Sequence, residues 1–193
     1  MCTTDIREEY LNILDALHPL SPETKAELKK HISIQKVPKG EMILEFGSVC
    51  NHIYFVNQGV IRIFYFKEGK EITEWLADEK QFFFSIVSYF EDEPSRLIIE
   101  AIEDSEIVLL SKKGLESLKR SNLEVANLII RFYSRSLILS QKRMDSLQFE
   151  SASKRYLNLL RDQPNLIHKV PLQHVASFLG ITQATLSRIR ANL

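Results

Sequence analysis

The residues best suited to chemistry sit in the last helix-forming stretch, GITQATLSRIRANL, from Gly180 to Leu193. A glutamine, two threonines, a serine and two arginines share one short segment there. None of them makes a nucleophile–base pair or a metal set. They form hydrogen-bonding forks and cations, which suit recognition of a polyanion with readable edges. On a helix that buries Leu186 and Ile189, the residues Gln183, Ala184, Ser187 and Arg188 face outward. Arginine can grip guanine with two parallel hydrogen bonds, and glutamine can do the same with adenine. Thr185, Arg190 and the free N–H groups around Thr182 suit phosphate oxygens.

Such a helix needs a second one to hold it. Val175, Ala176 and Leu179 have the spacing of an inward face, and Ala176 is small where two helices cross steeply. Gly180 fits the left-handed position that ends the first helix. Thr182 can cap the second by accepting a backbone N–H. The pattern is a helix-turn-helix, whose second helix enters the DNA major groove. The alternative is a plain helical hairpin.

Charge distribution favours the DNA reading. The chain has 193 residues, with 25 basic and 25 acidic side chains. From Ser151 onward the bases are Lys154, Arg155, Arg161, Lys169, Arg188 and Arg190, and the sole acid is Asp162. A basic tail therefore follows an acidic body, as expected of a module that binds a polyanion.

Upstream, the apolar period changes twice. Ile6, Tyr10, Ile13, Leu14 and Leu17 have helical spacing, and Ser21-Pro22-Glu23 opens a second short helix to about His31. From Ile32 to about Leu110, short apolar runs (MIL, HIYFV, VIRIFYF, EITEWL, RLIIEAI, EIVLL) alternate with glycine turns at Gly40, Gly47, Gly59 and Gly69. That is the pattern of a strand sandwich or barrel. A helix over 123–147 follows, roughly 37 Å long at 1.5 Å per residue. It carries two apolar stripes. One holds Val125, Leu128, Ile129, Phe132, Ser136 and Leu139; the other holds Ile130, Tyr133, Leu137 and Met144. One stripe is expected on the strand domain and the other on a second copy of the chain. The partner face is assigned to Leu128, Ile129, Phe132, Ser136, Leu139 and Arg143. A two-fold pair would set recognition helices about one DNA turn apart, ~34 Å, on a palindromic operator.

Other function classes lack support. The sequence holds no glycine-rich phosphate loop, no Gly-x-Ser-x-Gly elbow and no zinc-protease His-Glu pattern, so no catalytic residue is assigned. Two cysteines, Cys2 and Cys50, are too few for a disulfide framework or a four-thiolate cluster. No metal site is expected. The acidic N-terminus lacks a signal-peptide pattern, and no apolar run reaches the ~20 residues of a membrane span. A cytoplasmic protein without a membrane partner is expected.

The order of strand barrel, long helix and helix-turn-helix resembles the Crp/Fnr family of bacterial transcription regulators. The resemblance spans nearly the whole chain. It rests on VPKGEMILEFGSVCNHIYFVNQGVIRIFY, AIEDSEIVLL and the terminal GITQATLSRI. It implies an α+β protein in three parts: N-terminal helices with a cyclic-nucleotide-binding-like, jelly-roll-like antiparallel β-roll over 1–122, a dimerisation helix over 123–147, and a winged helix-turn-helix DNA-binding domain over 148–193. Only four residues follow Ile189, too few for the wing. The implied partners are double-stranded DNA, a second copy of the chain and RNA polymerase.

Family members that bind a cyclic nucleotide carry Phe-Gly-Glu and, further on, Arg-[Ser/Thr]-Ala, whose glutamate holds the ribose and whose arginine pairs with the phosphate. Here Phe84-Ser85-Ile86 and Ser95-Arg96-Leu97 stand at those points. Ile86 replaces the glutamate, and Arg96 comes one place late, on the opposite face if the segment is a strand. A degenerate effector pocket of Trp75, Phe84, Ser85, Ile86, Ser95 and Arg96 is expected, with no cofactor and no response to cyclic AMP. A β-roll that takes another small molecule, or haem through His18, His31 or His52, is the alternative.

Overall fold

The computed structural model describes residues 5–192; Met1 to Thr4, with Cys2, and Leu193 lie outside the described residues. Two helices open the chain. In α1 (Ile6–Leu17) the Asp5 carboxylate accepts the N–H of Arg7 at 3.0 Å and so starts the helix. In α2 (Pro22–Lys29) the Ser21 hydroxyl accepts from Thr24 at 3.2 Å, and proline fills the first helical position. This helix stops two residues short of the expected His31, because the chain becomes extended at Ile32.

Eight strands then build two antiparallel sheets. One has the order β1 (Ile32–Val37), β8 (Ser105–Ser111), β3 (His52–Gln58), β6 (Phe82–Phe83). The other has the order β2 (Met42–Leu44), β7 (Ile98–Ala101), β4 (Ile61–Lys67), β5 (Lys70–Ala77). Consecutive β3 and β4 lie in different sheets, so the turn between them is a corner. Gly59 makes it, with φ at 103°, and a Cβ there would overlap the Ser105 side chain. On β3, Ile53 and Phe55 face outward to the helices, against Tyr10 and Phe82, and the alternate residues Tyr54 and Val56, with Ile107, Ile63 and Ile99, form the core between the sheets. This is the expected antiparallel roll.

Two short helices were not anticipated, one after β6 and a fourth one, over Leu166–Lys169, where three were expected after Ser151. The apolar stretch after β6 forms a short helix, α3 (Ile86–Glu91). After α4 (Lys112–Lys119) comes the long helix α5, Leu123–Phe149, opened by Asn122 accepting from Val125 at 3.2 Å. It runs two residues beyond the expected Leu147, until Ser151 caps the next helix. Four helices end the chain: α6 (Ala152–Asp162), α7 (Leu166–Lys169), α8 (Leu172–Phe178) and α9 (Gln183–Ala191). Their apolar faces form a second core with Val60, Leu76 and Ile102 of the roll. Among the described residues, no helix is long and apolar enough to cross a membrane.

Candidate nucleic-acid interface

The α8–α9 unit is held by backbone bonds that the sequence forecasts closely. The N–H of Gly180 bonds the carbonyl of Ser177 at 3.0 Å, and that of Ile181 bonds Ala176 at 3.0 Å. This paired closure needs a left-handed residue after the helix, and Gly180 has φ of 67°. The Thr182 hydroxyl then accepts from Thr185 N–H at 3.2 Å and opens α9. Val175, Ala176, Leu179 and Leu186 are buried, with Ile181 and Ile189 packed beside them.

That packing leaves a defined outer face. Thr182, Gln183, Ala184, Ser187, Arg188 and Arg190 are exposed. Helix geometry leaves the first N–H groups of α9, at Gln183 and Ala184, without intrahelical partners. Thr185 is half-buried, and its hydroxyl is engaged by Thr182 at 2.9 Å and approached by Arg188 at 3.4 Å. It supports the arginine as well as the helix cap.

The basic excess is smaller in the fold than in the sequence. Arg161 pairs with Asp162, and Lys169 with Glu103 at 2.8 Å. Arg155 donates to the backbone carbonyls of Leu179 at 2.9 Å and Glu150 at 2.5 Å. Within 151–192, Lys154, Arg155, Arg188 and Arg190 form no ion pair among the described residues; Arg155 is held by backbone carbonyls, so the exposed unpaired cations of this stretch lie on α9 and at the start of α6.

The sequence did not reveal how this unit is seated on the roll. Strand β5 is an edge strand, and its Thr73 N–H donates to the Ser177 hydroxyl at 2.8 Å. Phe178 meets Trp75 edge-on with centroids 6.4 Å apart. The Arg143 guanidinium lies 3.9 Å over the Phe178 ring and donates to the Phe178 carbonyl. Beneath this contact, Arg62 is buried, held by Thr73 at 3.0 Å and by Glu71 and Glu100 at 2.8 Å each. His174 stands near it. Burial, and then the Arg62 charge, push its imidazole below the ordinary range, against the pull of Glu100 and Glu71.

Three of the six residues assigned to the partner face of α5 are not available for it. Leu128, Ile129 and Phe132 are buried in the protomer's own core. Phe132 packs on Phe82 at 5.0 Å, and a void of about 20 Å³ lies among Leu128, Ile129, Tyr10 and Leu14. Ser136 bonds back to the Phe132 carbonyl at 3.1 Å, and Leu139 and Arg143 face the α6–α8 side. The stripe left open is the other one. Leu123, Ile130, Leu137 and Met144 recur every seven residues and are 76%, 62%, 71% and 49% exposed. Ala126, Tyr133, Ser140 and Leu147 fall three residues after each, the spacing that a coiled coil would use.

The residues at the expected effector pocket are partly dispersed. Phe84 is buried against Phe132, Tyr89 and Phe90, with centroids 6.1, 5.2 and 6.3 Å away. Ser85 and Ser95 are buried and joined at 2.9 Å, and Ser95 also donates to the Leu97 carbonyl at 2.8 Å. Ile86 is 42% exposed on α3. Arg96 precedes β7 instead of lying on a strand, and its side chain is exposed within the field of Glu74. Trp75 belongs to the α8 contact. The aromatic side chains fill this region, and it holds neither a carboxylate for a ribose nor an inward arginine for a phosphate. His18, His31 and His52 stand on separate elements: after α1, before β1 and on β3. Among the described residues, no group of three His, Cys, Asp or Glu could hold a metal.

Comparison with known proteins agrees with this architecture. Residues 34–122 match the family model of the cyclic nucleotide-binding domain. The chain is 27% identical over 177 residues to the cyclic AMP receptor protein of Thermus thermophilus, covering 89% of this chain and 82% of that one. FixK2 from Bradyrhizobium japonicum superposes with a TM-score of 0.73 at 19% identity, over 84% of each chain. A putative Crp/Fnr-family regulator from Eubacterium rectale superposes at 0.68 and 19% identity, over 90% of this chain and 83% of that one.

Proposed function

We propose that this chain, a homologue of the Crp/Fnr-type regulators carrying a cyclic nucleotide-binding domain, is a cytoplasmic, homodimeric transcription regulator that reads palindromic DNA and does not answer to cyclic nucleotides. The observation that carries the reading is the outer face of α9. Gln183, Ser187 and Arg188 stand exposed on a capped helix with no acidic partner for the arginines among the described residues. A single helix reads too few base pairs to find one site among ~10⁶–10⁹ competitors, so a two-fold pair is required. The seven-residue stripe of α5 supplies a face for it. RNA polymerase is the expected recipient of the regulatory effect. No reaction is assigned.

Selection of binding sites from random duplexes is the test. Wild-type protein should enrich a palindrome with half-sites about one turn apart. Arg188→Ala should relax selection at one base pair per half-site, costing about 1–3 kcal/mol there. Arg190→Ala should weaken binding to all sequences alike. An unchanged profile with Arg188→Ala would remove the base-reading assignment. As to ligand, Ile86 offers no acceptor for ribose hydroxyls and Arg96 faces solvent. Calorimetric titration should therefore detect no cyclic AMP binding in the micromolar range.

A further inference from the structure

A cavity lies between the roll and the C-terminal helices. It is a groove of about 650 Å³ between α1, the end of β5, the second half of α5 and the α6–α8 unit. Its volume falls within the ~300–1,000 Å³ of small-molecule sites. Apolar residues from four elements form its floor: Ile13 and Leu17, Trp75, Phe132 and Leu139, and Phe178. The exposed coiled-coil stripe of α5 is on the opposite side of the helix, so pairing through it leaves this groove open.

The rim is cationic. Arg135 and Lys142 line the groove one turn either side of Leu139, and both are exposed. Arg143, on the same helix but laid over Phe178, and Arg155 of α6 also line the groove. None of the four has an ion-pair partner among the described residues. The one carboxylate in the lining, Asp162, is taken by Arg161 at 2.7 Å. Lys80, also in the lining, is neutralised by Glu9. Burial, and then the Arg155 charge, hold the Arg143 guanidinium down at about 10, with Glu74 opposing. An anion in the groove would relieve that repulsion. An apolar floor under forked donors fits a small molecule with an acidic head and a hydrocarbon body.

We propose that this groove is an effector site for an amphipathic carboxylate of the medium-chain acyl or arylalkyl class, with its body on Leu17, Phe132 and Leu139 and its head among Arg135, Lys142 and Arg143. The groove is bounded on one side by the roll and on the other by the helices that seat α9. An occupant therefore touches both and shifts their relative pose. That consequence rests on the DNA-binding reading above, whereas the binding itself does not.

The test uses full-length protein and calorimetric titration with decanoate, 4-phenylbutyrate, decanol and inorganic phosphate. Decanoate or phenylbutyrate should bind saturably, once per protomer. Decanol and phosphate should each bind about tenfold more weakly or not at all, since each lacks one half of the recognised chemistry. The double variant Arg135→Ala/Lys142→Ala should lose about tenfold or more for the carboxylates while keeping the wild-type melting temperature, because neither side chain is bonded in the fold. Ala16→Trp, at an exposed lining position, should block uptake by filling the groove. No saturable heat from either carboxylate, equal binding of decanol, or undiminished binding by both variants would overturn the site. Dissociation of the dimer on adding decanoate would show that the groove receives a second copy, and would also overturn it. Fluorescence anisotropy with the selected palindrome reads the coupling. Unchanged DNA affinity at saturating carboxylate refutes the coupling alone, and a protein that takes up carboxylate but binds no DNA refutes the proposed function alone.

Discussion

Replacing Leu137 with glutamate should split the dimer. Leu137 is 71% exposed in the protomer and lies at the centre of the stripe Leu123, Ile130, Leu137, Met144. Burying a leucine side chain is worth about 1.5–3 kcal/mol. Two-fold symmetry makes every substitution count twice, so the lost apolar burial alone is about 3–6 kcal/mol per dimer. At 1.4 kcal/mol per decade, the dissociation constant rises by ~10²–10⁴. Two facing carboxylates in a drying seam add to this. Sedimentation equilibrium at low micromolar concentration should give wild-type dimer and variant monomer, and the variant should lose protection of a palindrome. Leu139→Glu is the matched control. It sits two residues away, is 44% exposed and faces the groove, so it should leave the dimer intact. A Leu137→Glu protein that stays dimeric, or a Leu139→Glu protein that falls apart, would refute the choice of seam.

Other outcomes follow from the same geometry. Gly180→Ala should lower stability by about 1 kcal/mol or more, because φ of 67° strains any side chain and a Cβ would sit 3.2 Å from Leu147; chemical denaturation checks this, and a neutral result would mean the turn relaxes. Stability should fall with acid. His52 and His174 have folded pKa values pushed below 6.5, so the unfolded chain binds more protons as pH drops through about 6.5. The melting temperature should therefore decrease from pH 7.5 toward pH 5.5, and His174→Gln should reduce that slope; an unchanged slope would mean that His174 is already solvated.

Much of this protein was legible along the chain because the deciding signals are local. Ser21-Pro22, Gly180 and Thr182 each set a helix end through bonds to residues within four positions, and each does so in the fold. The strand runs and their glycine turns likewise foretold a strand sandwich or barrel. The outer face of α9 followed from which of its residues its neighbouring helix must cover.

What only the tertiary structure decided are the choices between equivalent faces. Helix α5 has two apolar stripes, and nothing within it says which one meets the roll. The choice comes from Tyr10, Leu14 and Phe82, distant in sequence, whose side chains close around Leu128, Ile129 and Phe132. Once they do, Leu123, Ile130, Leu137 and Met144 are left for a partner. Trp75, Arg143 and Arg155 show the same limit. Their types suggest a pocket, a dimer contact and a DNA contact, yet all three gather around Phe178 and Leu179. Hydrophobic burial is non-directional and depends on total apolar area removed from water. The sequence can therefore determine that a face is buried, while the partner that buries it emerges only when the whole chain packs.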